Sequence, residues 1–384
     1  MKLLISTQST IEFDGKYYYG NSMNAILSRY KHLSNDIVVI CYVKNVDVPS
    51  NDKISDNVKY FFIEKINNIK SLLKMRYISN GKIAFEQVQN SDLCIVHLPN
   101  DNGYQVINYC KQLNKPYITV VCGCPWDVLW NYDWRGKLLA AREYFILKKV
   151  QKEAPYSIYV TQKFLQSRYP CKGKSIGCSN VNIHIGDESV LKKRIARIES
   201  VNSFKRPLKI GTVGAIDVPY KGQEYVIMAL ALLKRQGMFF EYHLIGRGSK
   251  DRLQNIAIKY KVEDEVIFHG AIPHDKVMDF FDNIDIYAHP SRTEGLPRSL
   301  VEAESRACLC IGSTAGGIPE LLEPEYVFKS GDYSKIADLL ANISIVSLKE
   351  QAYRNYNFSK EYDSSVLNSK RRNFLEEFVN DVKK

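Results

Sequence analysis

Two carboxylates, Glu294 and Glu302, stand eight positions apart in the stretch from His289 to Ala303. Glu294 sits beside Gly295 and Pro297, and Glu302 lies four residues into a run that starts at Arg298 and has helical character. The apolar segment Asp285-Ile286-Tyr287-Ala288 comes before them and reads as a strand ending at Pro290. The unit is therefore strand, loop, helix, with one acid in the loop and the other in the first helical turns. The amides of Arg298, Ser299 and Leu300 would lie in a first turn, where backbone donors lack intrahelical partners and the dipole is positive. Such a helix start accommodates an anion, most naturally a phosphate. Pro297 donates no hydrogen bond, so Leu296 and the amides after it must do the binding. Gly295 lets the backbone approach a ligand closely. Two acids flanking a phosphate site suit the hydroxyls of a sugar, and a nucleotide-sugar carries both kinds of group.

These residues need a scaffold, and the chain alternates strand-like and helical segments throughout. In the first half, Lys2–Ser6, Asp36–Val43, Val58–Ile63, Asp92–Leu98, Pro116–Val121 and Tyr156–Thr161 read as strands. Helical spacing marks Asn21–Leu33, Ile69–Val88 (with an interruption near Ser79-Asn80-Gly81), Val106–Leu113 and Leu138–Gln151. The rhythm breaks over Val181–Pro207, read as an interdomain connection, and restarts at Leu208–Val213. Alternation of this length implies parallel, doubly wound sheets. The expected domains are 1–190 and 191–360, with a terminal helix in 361–384. Ligands of such sheets sit beyond the carboxyl ends of the strands. Neither half has a G-x-G-x-x-G loop, and Gly211-Thr212-Val213-Gly214 is only a partial echo, which argues against a dinucleotide oxidoreductase.

The 384 residues are long for one core and comfortable for two. The net charge is +11, and all of it belongs to the first half: residues 1–200 hold 28 Lys and Arg against 17 Asp and Glu, and residues 201–384 hold 25 of each. The basic clusters are Lys148-Lys149 with Lys152, Lys172 with Lys174, and Lys192-Lys193-Arg194 with Arg197. An anionic lipid surface is favoured as their partner; no nucleic-acid motif is present. No apolar run approaches the ~18–20 residues that span a bilayer. The nine cysteines show no C-x2-C pairs, and read as reduced, buried thiols in a cytoplasm. Trp126, Trp130 and Trp134 recur every fourth residue, a core-like spacing.

The Glu294–Glu302 spacing resembles the E-x7-E signature of retaining glycosyltransferases of family 4, which have the GT-B fold. The resemblance extends over most of residues 208–323 and includes Lys221-Gly222, Leu244-Ile245-Gly246-Arg247-Gly248, Phe268-His269-Gly270, Pro290-Ser291 and Gly316-Gly317-Ile318-Pro319-Glu320. It implies two Rossmann-like doubly wound parallel-sheet domains facing a cleft, the first binding the acceptor and the second the nucleotide-sugar, with the C-terminal helix crossing back to the first domain. The implied reaction moves a hexose from a UDP- or GDP-sugar to a hydroxyl of a lipid-linked or surface-polysaccharide acceptor at the cytoplasmic membrane face. It retains anomeric configuration by front-face attack, and needs no metal and no cofactor beyond the donor substrate.

By the same resemblance Lys221 holds the diphosphate and stabilises the departing nucleotide, and Glu294 orients the transferred sugar. Glu302 meets the ribose hydroxyls, and Gly270 and Ile272 bound the segment that meets the base. Gly15, Gly214, Arg247, Gly295, Leu296, Arg298, Ser299 and Leu300 complete the expected donor contacts. Three positions depart from the pattern. Ala215 stands where the family usually has the arginine paired with that lysine, leaving Arg247, Arg292 or Arg298 to supply a second cation. Cys122 or Asp127 occupies the neighbourhood of a donor-contacting histidine, and Gly15 lies in a loop unlike the family's first glycine-rich turn. Two rival readings follow: a catalytically inactive relative that binds nucleotide-sugar as a partner subunit, and a nucleotide-sugar epimerase.

Overall fold

A computed structural model describes residues 1–54, 58–65, 76–132, 134–200 and 207–383. The chain forms two compact units. The first comprises Met1–Gly123, Arg142–Cys178 and Asn368–Lys384, and the second Cys124–Ala141 and Ser179–Leu367. These divisions differ from the boundaries at 190 and 360 read from the sequence.

The first unit is built on an eight-stranded sheet with strands β1 (Lys2–Phe13), β2 (Tyr18–Tyr19), β3 (Asp36–Asn45), β4 (Val58–Phe62), β5 (Leu93–Leu98), β6 (Tyr117–Val121), β7 (Tyr156–Tyr159) and β8 (Lys174–Gly177). The order is β4-β3-β1-β5-β6-β7-β8, all parallel, with β2 folded back antiparallel on β1. Runs such as Ile37–Cys41 and Leu93–Leu98 are buried end to end, as strands covered on both faces must be. β1 runs well past the expected Ser6, shifting register between Ser6 and Thr10 before it turns at Gly15. The helix expected over Ile69–Val88 has residues 69–75 outside the described residues; the described part, Arg76–Gln89, continues through Ser79-Asn80-Gly81 without a break. Asn80 is compatible with the helix because its amide is buried and bonded to both main-chain groups of Glu64.

The second unit carries a six-stranded parallel sheet: β9 (Leu208–Val213), β10 (Phe240–Ile245), β11 (Val266–Gly270), β12 (Ile286–His289), β13 (Leu309–Ser313) and β14 (Val327–Phe328). Its order is β11-β10-β9-β12-β13-β14, so the order reverses beside β9 and β12, the place where such sheets bind ligands. Its apolar core packs Ile210, Tyr242, Leu244, Ile286, Ala288 and Ile311 of the sheet against Val226, Leu230 and Leu233 of the Gln223–Arg235 helix and against flanking helices. The terminal helix, Ser364–Lys383, returns to the first unit as expected. Phe374 and Phe378 lie 5.4 and 4.8 Å from the Tyr156 ring, and Asp381 accepts from Lys174 at 2.8 Å.

Two surface features differ from what the sequence leads one to expect. Arg194 is not part of a solvent-facing basic patch: it is buried, donating to the carbonyls of Phe281, Ile284 and Arg306, while Arg197 pairs with Asp285 at 3.1 Å. A cluster expected at the surface from its charge therefore cross-braces the unit from within the Glu188–Ser200 helix, since a guanidinium has enough donors to satisfy three carbonyls at once. The tryptophans are not core: Trp130 and Trp134 are exposed. Their four-residue spacing spans two separate helices, Pro125–Trp130 and Trp134–Lys152, so it does not define one buried face. All nine cysteines are thiols, seven of them buried.

Candidate active site

The carboxyl end of β12 delivers His289, and three short segments close around it. The first is a turn at Pro219–Lys221 that ends in Gly222, the N-cap of the Gln223–Arg235 helix. Gly222 has φ +71°, and a Cβ there would lie 2.1 Å from the Pro290 carbonyl oxygen, so only glycine brings Lys221 this close to β12. The second is the loop from Pro290 to Pro297, fixed by the Arg292 amide donating to the Tyr220 carbonyl at 2.7 Å. The third is the Gly316-Gly317 turn, where Gly317 donates to the Gly295 carbonyl at 2.7 Å and Gly316 (φ +58°) has Glu294 main chain where a Cβ would be.

Glu294 is the centre of this cluster. One of its oxygens, Oε1, accepts from Lys221 Nζ at 2.7 Å, Ser291 Oγ at 2.9 Å and His289 Nε2 at 3.0 Å. Burial pushes the Glu294 carboxyl up, but the hydrogen bond and charge of His289, followed by those of Lys221, outweigh it and hold it at about 2. The network continues on the other side of the imidazole. Nδ1 of His289 lies 3.0 Å from the Tyr287 hydroxyl, which donates to Ser299 Oγ at 2.8 Å. Burial keeps the Tyr287 phenol far above its ordinary value. Ser299 stands in the first turn of the Arg298–Ser305 helix, and that helix starts at Pro297 without a side-chain cap. Glu302, three residues after Ser299, shares its helix face, and its charge acts on Tyr287. Loop carboxylate, strand-end histidine and helix start thus form one connected polar structure.

The other expected donor contacts fall in the following places. Gly214 follows β9 with its amide bonded to the Ile245 carbonyl, and a Cβ there would lie 3.6 Å from Lys221 Cδ. Gly270 ends β11 at φ +71° and accepts from the Gly246 amide at 3.0 Å; Ile272 beyond it is half-buried. Gly295 and Leu296 are half-buried in the loop, Leu300 turns its side chain into the core, and Arg298 is exposed at the helix start. Arg247 is exposed, while its carbonyl accepts from the Ile216 amide at 3.0 Å. Gly15 belongs to the first unit, at the β1–β2 hairpin turn with φ +94°. Of the three candidate second cations, Arg292 is engaged elsewhere. It donates to Glu224 at 3.1 Å and to the Tyr225 hydroxyl, with its guanidinium 5.0 Å from the Tyr225 ring centre.

Reading the sequence gave no role to His289, Ser291 or Tyr287. The usable signal was a histidine at the carboxyl end of an apolar strand five residues before an acid. Among the described residues no group of three His, Cys, Asp or Glu side chains is placed to hold a metal ion.

Residues 194–359 match the family described as glycosyl transferases group 1. Over 363 residues the chain is 32% identical to protein CapJ of Staphylococcus aureus, covering 90% of this chain and 87% of CapJ. It is 30% identical over 181 residues to the putative colanic acid biosynthesis glycosyltransferase WcaL of Salmonella typhimurium, 44% of each chain. In fold it is similar to Anabaena HepE, solved in complex with UDP and glucose, at a TM-score of 0.66 and 16% identity over 98% of this chain and 99% of that one. That family match and the 32% identity to CapJ over 90% of the chain, on two parallel-sheet units of the GT-B kind, place this chain among the group 1 glycosyltransferases, the family to which it belongs.

Proposed function

We propose that the chain is a retaining family 4 enzyme that transfers a hexose from a UDP- or GDP-sugar to a hydroxyl of a lipid-linked or surface-polysaccharide acceptor, at the cytoplasmic face of a membrane. The observation that carries this reading is the convergence of Lys221, His289 and Ser291 on Glu294 beside the start of the Arg298–Ser305 helix. The donor diphosphate lies across the amides of Arg298, Ser299 and Leu300, where the helix dipole is positive. Lys221 then has a second anion to neutralise, and Arg247 or Arg298 adds charge where Ala215 offers none. Held at about 2, the Glu294 carboxyl is ionised at neutral pH and accepts hydrogen bonds from sugar hydroxyls; it has no proton to give a leaving group. This suits positioning of the donor better than the acid role of a hydrolase. Glu302 takes the ribose hydroxyls, and Gly270 and Ile272 border the base.

In the transfer itself the bond from the anomeric carbon to the diphosphate oxygen breaks, and its electron pair leaves with the nucleotide. The acceptor oxygen bonds to the same face of that carbon, and its proton passes to the departing diphosphate. Lys221 and the helix start supply the positive charge that this step needs, without a metal ion. WcaL, named for colanic acid biosynthesis, and HepE, solved with UDP, support the polysaccharide and donor assignments by likeness.

The test is a thermal-shift screen against UDP-, GDP- and ADP-sugars, paired with donor turnover in wild type and Glu294→Gln. One donor series should raise Tm, and the variant should lose about 10²–10³ in turnover. A Tm shift with equal, background turnover in both proteins would favour the inactive partner subunit. Conversion of donor without acceptor into its epimer would favour the epimerase. No shift with any donor would end the nucleotide-sugar reading.

A further inference from the structure

The Trp134–Lys152 helix carries a pattern that the donor site does not use. At about 100° per residue, Trp134, Leu138, Ala141 and Phe145 fall on one line along its surface. Trp134 is 68% exposed, Leu138 73% and Phe145 65%, although such side chains ordinarily bury. The opposite face, with Gly136, Ala140, Leu147 and Gln151, is buried and holds the helix to the protein. Lys137 and Lys148 border the stripe on one side and Arg142 and Lys149 on the other, all four exposed. Glu143 is the helix's only acid and is paired with Arg142. Just before the helix, Trp130 and Tyr132 are also exposed, with Lys137 Nζ 5.5 Å from the Trp130 ring centre.

We propose that this helix lies flat in an anionic lipid surface, its Trp134–Leu138–Phe145 stripe entering the acyl boundary and its lysines meeting lipid phosphates. An apolar, aromatic face edged by cations is the pattern of a helix that rests in a membrane interface. No helix among the described residues is long and apolar enough to cross a membrane. Charge selects the occupant: the borders of the stripe are basic along its length, and an anionic bilayer matches them everywhere at once. Other basic clusters are less available, since Arg194 serves carbonyls, Arg197 serves Asp285 and Lys174 serves Glu377 and Asp381. The inference rests on the membrane-face part of the proposed function and not on the donor chemistry.

Sedimentation of the full chain with phosphatidylglycerol or phosphatidylcholine vesicles tests it. Wild type should bind the anionic vesicles and bind the zwitterionic ones at least ten-fold less. The Trp134→Ser, Leu138→Ser, Phe145→Ser triple variant should bind anionic vesicles at least ten-fold less, with Tm and donor hydrolysis unchanged. Lys137→Glu with Lys149→Glu, which keeps the stripe, should weaken binding at about 0.1 M salt, where charges still interact over ~10 Å. Wild-type affinity in the serine variant, equal binding to both lipids, or no binding to phosphatidylglycerol would overturn the proposal. So would a wild-type dimer that the serine substitutions convert to monomer, since a second copy would then cover the stripe. Vesicle binding without any donor turnover would sink the enzyme reading and leave this one standing.

Discussion

Each sheet carries a histidine at or near the end of a central strand, beside a tyrosine hydroxyl, yet the two histidines have opposite surroundings. His97 in β5 lies 3.3 Å from the Tyr30 hydroxyl, with Cys122 Sγ 4.0 Å from its other nitrogen. Burial first, then the charges of Arg29 and Arg371, hold its imidazole down at about 3, so it is neutral throughout the physiological range. His289 at the end of β12 has the same kind of tyrosine neighbour but also faces Glu294, itself tied to Lys221. The lesson is that a strand-end histidine is not a site by itself. What distinguishes the second unit is a carboxylate and a cation brought to it by a tight turn and a loop.

The second unit's own carboxylates sharpen the point. Glu294 is held at about 2 by the hydrogen bonds and charges of His289 and Lys221 against its burial, whereas Glu304, two residues beyond Glu302, is fully buried with Arg354 as the donor on Oε1 and no partner on Oε2. Burial pushes its carboxyl up to about 8 against the pull of Arg354. Partner number, more than depth, separates these two acids.

The most forceful way to break the comparison is Lys221→Ala. Glu294 keeps His289 and Ser291, so the fold should persist by circular dichroism while donor turnover falls about 10³-fold, ~4 kcal/mol of barrier. Retention of turnover would remove the cation from the site's chemistry. Next, His289→Phe should lower turnover by about 10–100-fold, the loss of one hydrogen bond to a charged group. His97→Phe should change it less than about three-fold, a shift of under ~0.7 kcal/mol. Similar losses from both would erase the contrast between the units.

Smaller effects concern stability. The raised Glu304 group favours the fold fully below its ordinary value of 4.5 and loses that contribution as pH rises towards about 8. Tm of wild type should therefore fall between pH 5 and 8 more than that of Glu304→Gln, with the variant more stable by about 1–2 kcal/mol at pH 8. Glu294 has the opposite sign: its contribution is present above 4.5 and lost as pH falls towards about 2. Glu294→Gln should accordingly flatten the acid limb of a Tm profile, the smallest of these changes because the variant also loses the ion pair.

Much of the scaffold was legible because parallel strands buried on both faces are continuous apolar runs. Leu208–Val213 and the strand through Ile286-Tyr287-Ala288 fall where the sequence marks them. Less legible were β2, β8 and β14, short strands at an edge or a hairpin, which carry too few residues for a period. Of the site, the Glu294 loop and the Arg298 helix start could be read from types and spacing, because both lie in one local strand–loop–helix unit. The Lys221–Glu294 pair spans 73 positions, and Arg292 donates to Glu224 across 68 positions. Only folding could decide these. A side chain's partner across a sheet depends on which loops the strand order brings together and on where a glycine lets two backbones touch, and neither is written in local periodicity.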